Sequence, residues 1–176
     1  STSYTVIAEK FHNVSPLPKP FLFGIVLVVS SLAFKIAAVP FQLWVPDVYQ
    51  GAPTTVTALM STGGKAAAFS ALLVVLIPVF GNIEKNIFIP FLSALAVITM
   101  LYGAIVAISQ TDLKRMLAYS SIAHAGYMIV GLASANQDGV TGIVFYLAAY
   151  TFMNLGAFGV ISMIESKDNL HVDLKS

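Results

Sequence analysis

The sequence contains no cysteine, few charged residues and only three histidines, and each of these shortages excludes a class of protein. Without cysteine these residues form no disulfide, thiolate metal site or iron–sulfur cluster. The net charge of +1 supplies no basic patch for a nucleic acid. His12, His124 and His171 lie far apart, without metal-ligand spacing. No G-x-G-x-x-G or P-loop pattern is present, so no NADH or ATP site is expected.

Apolar residues make up 57% of the sequence and charged residues 10%, against roughly 25% charged residues in a soluble domain. Such a composition cannot cover a globular surface with polar groups, and it predicts a multi-pass integral protein of the lipid bilayer. The predicted fold is an all-α bundle of about five transmembrane helices over residues 20–165. The predicted spans are about 20–44, 53–80, 86–109, 115–133 and 140–164, and the uncharged third span is long enough to cross ~30 Å of hydrocarbon.

The remaining segments are predicted to lie outside the bilayer. Residues 1–19 form an extramembrane segment and residues 166–176 a polar tail. Proline and glycine predict a loop over Pro46–Pro53. The adjacent Lys114 and Arg115 fall in a predicted loop and favour that side as cytoplasmic. The first residue is Ser rather than Met, and we expect an internal fragment of a longer protein.

Two lysines interrupt the predicted spans. Nine charged residues lie between Pro20 and Ile164, and all but Lys35 and Lys65 fall in short breaks between apolar runs. A charge at bilayer depth costs at least ~2.5–3.5 kcal/mol on insertion scales, so a retained charge indicates a function. The two lysines therefore point to movement of protons or ions.

Lys35 lies close to a predicted helix break. Pro40 cannot donate to the carbonyl of Ile36, and its ring opens that turn. Ser31 lies one turn before Lys35 on the same face. Broken helices at membrane depth occur where they face protein or a water-filled cavity, and in transporters they mark ion sites. The alternative is a packing kink with a lysine that reaches the interface.

Lys65 ends a polar stripe on the second predicted span. Thr54, Thr57, Ser61 and Lys65 follow spacings of 3, 4 and 4, which place them on one face of a helix. The stripe runs from one membrane surface to mid-depth, as expected of a half-channel with a titratable end. The alternative is a hydroxyl-rich helix contact in which Lys65 pairs with a carboxylate.

His124 is a candidate proton relay on the fourth span, because histidine titrates near neutral pH. Ser120 and Ser121 precede it by about one turn, and the alternative is a histidine that only hydrogen-bonds a serine. On the fifth span Tyr150 belongs to a stripe with Tyr146 and Asn154 at spacings of four. That stripe is typical of interhelical bonding, with a relay or water-channel lining as the second interpretation.

Several segments together resemble a known family, the antiporter-like membrane subunits of respiratory complex I. The resemblance covers about residues 20–165. It rests on Phe34–Phe41 (Phe-Lys-Ile-Ala-Ala-Val-Pro-Phe), Trp44–Thr54 (Trp-Val-Pro-Asp-Val-Tyr-Gln-Gly-Ala-Pro-Thr), Ser109–His124 and Asn154–Phe158. The Pro-Asp-Val-Tyr-x-Gly-Ala-Pro form most resembles the subunit N branch of bacterial NADH:quinone oxidoreductases, with mitochondrial and plastid relatives.

This resemblance implies a role for each titratable residue within a subunit of about fourteen helices. Lys35 would be the central lysine of the broken seventh helix, whose glutamate partner lies on a helix outside this sequence. Lys65 would be the connecting lysine of the eighth helix, and His124 the tenth-helix histidine. Where sister subunits have a second histidine, this chain has Tyr150. Lys114 falls on a conspicuous motif and is expected to be structural.

The resemblance also implies a function and partners. The chain would be a proton-translocating membrane subunit in a bacterial inner membrane, bound to the other membrane subunits of complex I. NADH, FMN, iron–sulfur clusters and quinone would belong to partner subunits, with no cofactor in this chain. Two alternatives stay open, namely a subunit of an Mrp-type cation/proton antiporter and a purely structural membrane subunit.

Overall fold

The computed structural model describes residues 18–80 and 85–168, and every regular element in these ranges is a helix. Seven α-helices and one π-helical turn follow each other along the described chain: α1 (Lys19–Ile36), α2 (Trp44–Gly51), α3 (Thr54–Leu59), the π turn (Met60–Gly64), α4 (Lys65–Phe80), α5 (Lys85–Ile108), α6 (Leu113–Ala133) and α7 (Gln137–Asp168). The predicted all-α membrane fold is confirmed. Most of the predicted extramembrane segment (residues 1–19) and of the predicted polar tail (residues 166–176) lies outside the described residues.

Four helical segments of the described residues are long and apolar enough to cross a membrane: Thr54–Leu76, Ile89–Ile108, Leu113–Ala133 and Gln137–Glu165. A shorter apolar helix covers Phe23–Ile36. Large apolar side chains remain exposed on the outside of the bundle, for example Phe145 at 76% and Phe152 at 79%. Side chains of this kind suit contact with lipid or with another membrane subunit.

The predicted break near Pro40 is present, and α1 already ends at Ile36. Ala37 takes a left-handed conformation with φ 62°, and its N–H bonds back to the last carbonyls of the helix. The peptide between Val39 and Pro40 is cis. The Val39 N–H, which has left the helical ladder, donates to Thr99 Oγ1 of α5 at 3.2 Å. The break is therefore tied to a neighbouring helix.

The predicted loop over Pro46–Pro53 is wrong, because most of it forms α2. Proline is tolerated in the first turn of a helix, where its missing N–H would have no partner anyway. Pro46 occupies that turn, and Asp47 beside it complements the positive end of the helix. Val45 and Tyr49 are buried, so packing supplies the rest. The predicted first span over residues 20–44 is likewise not one continuous helix, since α1 ends at Ile36 and α2 begins only at Trp44.

The helices α5 and α6 pack closely against each other. A Cβ added to Gly103 would lie 2.5 Å from the Ala123 main-chain nitrogen. A Cβ added to Gly126 would lie 2.8 Å from the Met100 nitrogen. Small residues allow helix backbones to approach each other in membranes, and these two glycines supply that contact.

Candidate functional site

Lys65 is a buried amine held by one residue of a neighbouring helix. Its exposed fraction is 2%. Nζ donates to the main-chain carbonyl of Ser121 and, at 3.0 Å, to the Ser121 hydroxyl. It also lies 5.4 Å from the centroid of the Tyr150 ring. Among the residues that the structure describes, Lys65 forms no ion pair, so its contacts are polar and aromatic rather than acidic.

The hydroxyl that contacts Lys65 belongs to Ser121, one of the two serines that precede His124 by about one turn. Successive residues on a helix point about 100° apart, and only Ser121 faces α4. Ser121 is 1% exposed. Tyr49 of α2 approaches the same hydroxyl, which lowers the phenol's pKa by hydrogen bonding. Burial outweighs that effect and raises the pKa of Tyr49 to about 12, so this phenol stays protonated at neutral pH.

The residues of the predicted stripe are all buried, and we call Thr54, Thr57, Ser61 and Lys65 the polar face. Thr54 is 5% exposed, and Thr57 and Ser61 are fully buried. Thr57 Oγ1 bonds the Tyr49 carbonyl at 3.2 Å, and Ser61 Oγ bonds the Ala58 carbonyl at 2.9 Å. The hydroxyls of Thr57 and Ser61 therefore donate to main-chain carbonyls. Their role as channel lining stays a prediction.

A π turn lies within the polar face, and the sequence analysis missed it. In a π turn the hydrogen bonds span five residues instead of four, and such turns occur frequently at functional sites. The Ala58 carbonyl just before the turn accepts the Ser61 hydroxyl and, at 2.8 Å, the Thr62 hydroxyl. The adjacent glycines at 63 and 64 are the only sequence signal for this distortion.

His124 lies in a cluster of three tyrosines, and we call His124, Tyr127, Tyr146 and Tyr150 the aromatic cluster. His124 Nδ1 is 2.5 Å from the Tyr146 hydroxyl, so its partner is a phenol rather than a serine. Its ring centroid lies 5.8 Å from Tyr127, 5.9 Å from Tyr146 and 5.2 Å from Tyr150. His124 is half-buried and Tyr127 is 50% exposed. The cluster thus reaches from the buried site to the bundle surface.

Tyr150 connects the two groups because its ring contacts both Lys65 and His124. It is 2% exposed, and its buried hydroxyl forms no hydrogen bond within the described residues. Asn154 donates to the Tyr150 carbonyl at 3.0 Å within α7. The predicted tyrosine stripe therefore does face α6, and the Tyr150 ring contacts both titratable groups.

Lys35 lies apart from this site, on the exposed side of α1, and Ser31 is exposed on the same helix. The end of α1 is covered by α2, where Trp44 stacks on Phe34 at 5.5 Å and donates from Nε1 to the Phe34 carbonyl at 3.0 Å. The structure thus brings Lys65, His124 and Tyr150 together and leaves Lys35 outside the cluster.

A network of charges lies at the other end of the polar face, around Thr54. Lys114 is in the first turn of α6, not in a loop, and its Nζ is 3.0 Å from Glu165 Oε1 near the end of α7. Thr54 donates to the same carboxylate. Lys114 also donates to the Ala52 carbonyl at 3.2 Å. We call Lys114 and Glu165 the surface pair.

A second ion pair lies beside the first and is more exposed. Arg115 Nη1 is 2.7 Å from Asp47 Oδ1, with 72% of the Asp47 side chain exposed. Arg115 also bonds Gln50 at 3.0 Å, and Asp112 caps α6 by accepting the Arg115 main-chain N–H at 2.8 Å. Local sequence patterns do not predict these two ion pairs, because each joins residues more than 50 positions apart.

Comparison with known proteins shows which family the sequence is similar to. A family model described as NADH:quinone oxidoreductase/Mrp antiporter, TM, matches residues 4–174. NADH-quinone oxidoreductase subunit N 1 of Chloroherpeton thalassium is 50% identical over 148 residues. The match covers 84% of this chain and 31% of the relative, so the chain spans less than a third of the relative's length.

Solved structures match the fold. Respiratory complex I from Thermus thermophilus contains a chain with a TM-score of 0.69 and 32% identity, which covers 90% of this chain and 36% of that one. The Mrp complex from Dietzia sp. DQ12-45-1b contains a chain with a TM-score of 0.79 and 24% identity, over 90% of this chain and 29% of that one. At that identity the second match shows the fold alone.

Proposed function

Because the chain belongs to the NADH:quinone oxidoreductase/Mrp antiporter transmembrane family, we propose that it is part of a proton-translocating subunit of an NADH:quinone oxidoreductase. The subunit moves protons through buried titratable side chains in a cell membrane. Redox chemistry takes place in partner subunits, which hold NADH, FMN, iron–sulfur clusters and quinone. The other membrane subunits of the complex are its partners, and this chain contributes no redox group.

One observation carries the proposal, namely a buried lysine at the inner end of a buried polar face. A charged group in the hydrocarbon region is costly, and structural lysines there usually pair with an acid. Lys65 instead contacts the carbonyl and hydroxyl of Ser121. Because neither acceptor is charged, loss of the proton from Lys65 leaves no buried carboxylate without a partner.

The aromatic cluster offers a second proton acceptor near Lys65. Imidazole accepts and releases protons near neutral pH, and Tyr146 fixes its orientation through Nδ1. Tyr150 contacts both Lys65 and His124. A proton that leaves Lys65 therefore has a titratable neighbour on the path toward half-exposed Tyr127. Lys35 contributes from the exposed side of α1, with a partner supplied by another segment of the subunit.

An Mrp-type cation/proton antiporter subunit is the second candidate, because the same fold occurs in the Mrp complex from Dietzia. The 50% identity to a subunit N of NADH-quinone oxidoreductase favours the first candidate. Sodium-dependent proton exchange in vesicles, without any dependence on NADH, would favour the antiporter.

A native gel of mildly solubilised source membranes tests the proposal. The gel is probed with an antibody against residues 165–176 and stained for NADH dehydrogenase activity. We expect the antibody signal in a very large band that stains for the activity. A smaller band without that activity would contradict the proposed function and support the antiporter.

A further inference from the structure

We propose that the surface pair of Lys114 and Glu165, together with Thr54, forms the closed entrance through which water and protons reach Lys65. This inference rests on the proposed function and adds an access site to it. The entrance joins the start of α3, the start of α6 and the end of α7. It lies at the Thr54 end of the polar face, where the candidate membrane span Thr54–Leu76 begins.

Thr54 links the surface pair to the polar face. Its hydroxyl donates to Glu165, and it begins the continuous helical segment Thr54–Leu76, which carries Thr57, Ser61 and Lys65. Eleven residues separate Thr54 from Lys65, which corresponds to about 16 Å along a helix. Each hydroxyl below Thr54 is fully buried. Water that approaches Lys65 along this face must therefore first pass the contact between Thr54 and Glu165.

The surface pair has the partial burial that an entrance requires. The exposed fractions are 14% for the Lys114 side chain and 29% for the Glu165 side chain. Both side chains are thus partly exposed, and Glu165 also contacts Thr54, which is 5% exposed. The bond from Lys114 to the Ala52 carbonyl anchors the pair to the segment just before α3.

The neighbouring pair of Arg115 and Asp47 differs from the surface pair because it does not contact the polar face. Arg115 bonds Asp47 and Gln50, and neither bond reaches the polar face. The Asp47 side chain is 72% exposed. This pair joins the start of α6 to α2, whereas the surface pair joins the start of α6 to α7. It therefore provides a matched control for loss of an ion pair at this surface.

Cysteine labelling tests the entrance directly, because these 176 residues contain no cysteine and the label at an introduced thiol is read against the same complex without it. Ser61→Cys is introduced into the full subunit of the assembled complex in native membranes. A small water-soluble methanethiosulfonate reagent then reports water at that position, since it reacts with the thiolate. Ser70→Cys, on an exposed position of α4, is the control reporter on the same helix.

We expect slow labelling of Ser61→Cys in the parent and faster labelling with Glu165→Gln or Lys114→Ala. The increase should be at least about tenfold, as expected when one hydrogen-bonded charge pair no longer holds the closed state. Asp47→Asn should leave the rate within about twofold of the parent, since exposed pairs contribute little. Thr54→Val, which keeps the shape and removes the hydroxyl, should also raise the rate and covers the case in which a charge variant fails to assemble.

Unchanged labelling of Ser61→Cys in the surface-pair and Thr54 variants would overturn the entrance. An equal increase with Asp47→Asn, or a parallel increase at Ser70→Cys, would also overturn it, because general loosening would explain the rates. Labelling requires no proton pumping. If the labelling rates contradict the entrance, the native-gel result still supports the proposed function. A gel band without NADH activity would reject the proposed function whatever the labelling rates are.

Discussion

Lys65 and Ser121, 56 residues apart, are joined by two hydrogen bonds between α4 and α6. The amine carries three donors and uses two of them on one residue. Both acceptors are neutral, so the contact orients the amine without the strong preference for the charged form that a carboxylate imposes. Ser121 is therefore the residue through which α6 can control the position of Lys65.

Replacement of Ser121 tests this contact. We expect Ser121→Ala in the full subunit to lower NADH-driven proton uptake about threefold. The main-chain carbonyl at position 121 remains, so the loss is smaller than that of a whole hydrogen bond to a charged group. Ser120→Ala is the matched variant on the adjacent position, and we expect a smaller effect. Equal losses would contradict the assignment of the contact to Ser121.

The pair of His124 and Tyr146 makes a coupled prediction. We expect His124→Ala and Tyr146→Phe each to reduce proton uptake, and the double variant to be about as impaired as His124→Ala alone. Residues that act through one hydrogen bond are not additive in a double-mutant cycle. Tyr102→Phe, which alters a tyrosine that contacts Tyr119 instead, serves as the control. Additive losses would show that Tyr146 does not act through His124.

The glycines between α5 and α6 predict a defect in assembly rather than in transport. We expect Gly103→Ala to reduce the amount of assembled complex on a native gel, because its Cβ would clash with main-chain atoms of Ala123. A substitution that overpacks a core typically costs about 1–3 kcal/mol. Gly156→Ala has no atom within 4 Å of its new Cβ and should assemble normally. Normal assembly of Gly103→Ala would contradict the close packing.

Periodicity and charge predicted much of this molecule. Lys65 and His124 stood out because polar residues are rare in apolar spans, and the stripe from Thr54 to Lys65 followed from helical spacing alone. Proline at position 40 predicted the break after α1. These features depend on residues close together in sequence, and the structure places them on the expected helices.

Features that depend on contacts between distant residues were not predictable in this way. The helix α2 forms despite Pro46 because Val45 and Tyr49 are buried against the bundle. The partner of Lys114 is Glu165, which lies just after the last predicted span and 51 positions away in sequence. The π turn contains two adjacent glycines, and no local rule places a π turn at such a pair. Tertiary packing decides each of these cases.

Proton uptake driven by NADH, measured in membrane vesicles that contain the assembled complex, tests the central claim most directly. Lys65→Ala and Lys35→Ala are compared with the parent and with Lys19→Ala, a lysine at the start of α1. We expect both test variants to assemble normally and to lower coupled quinone reduction and proton uptake, and we expect Lys19→Ala to resemble the parent. Normal quinone reduction and normal proton uptake in both test variants would contradict a role for these lysines in proton translocation.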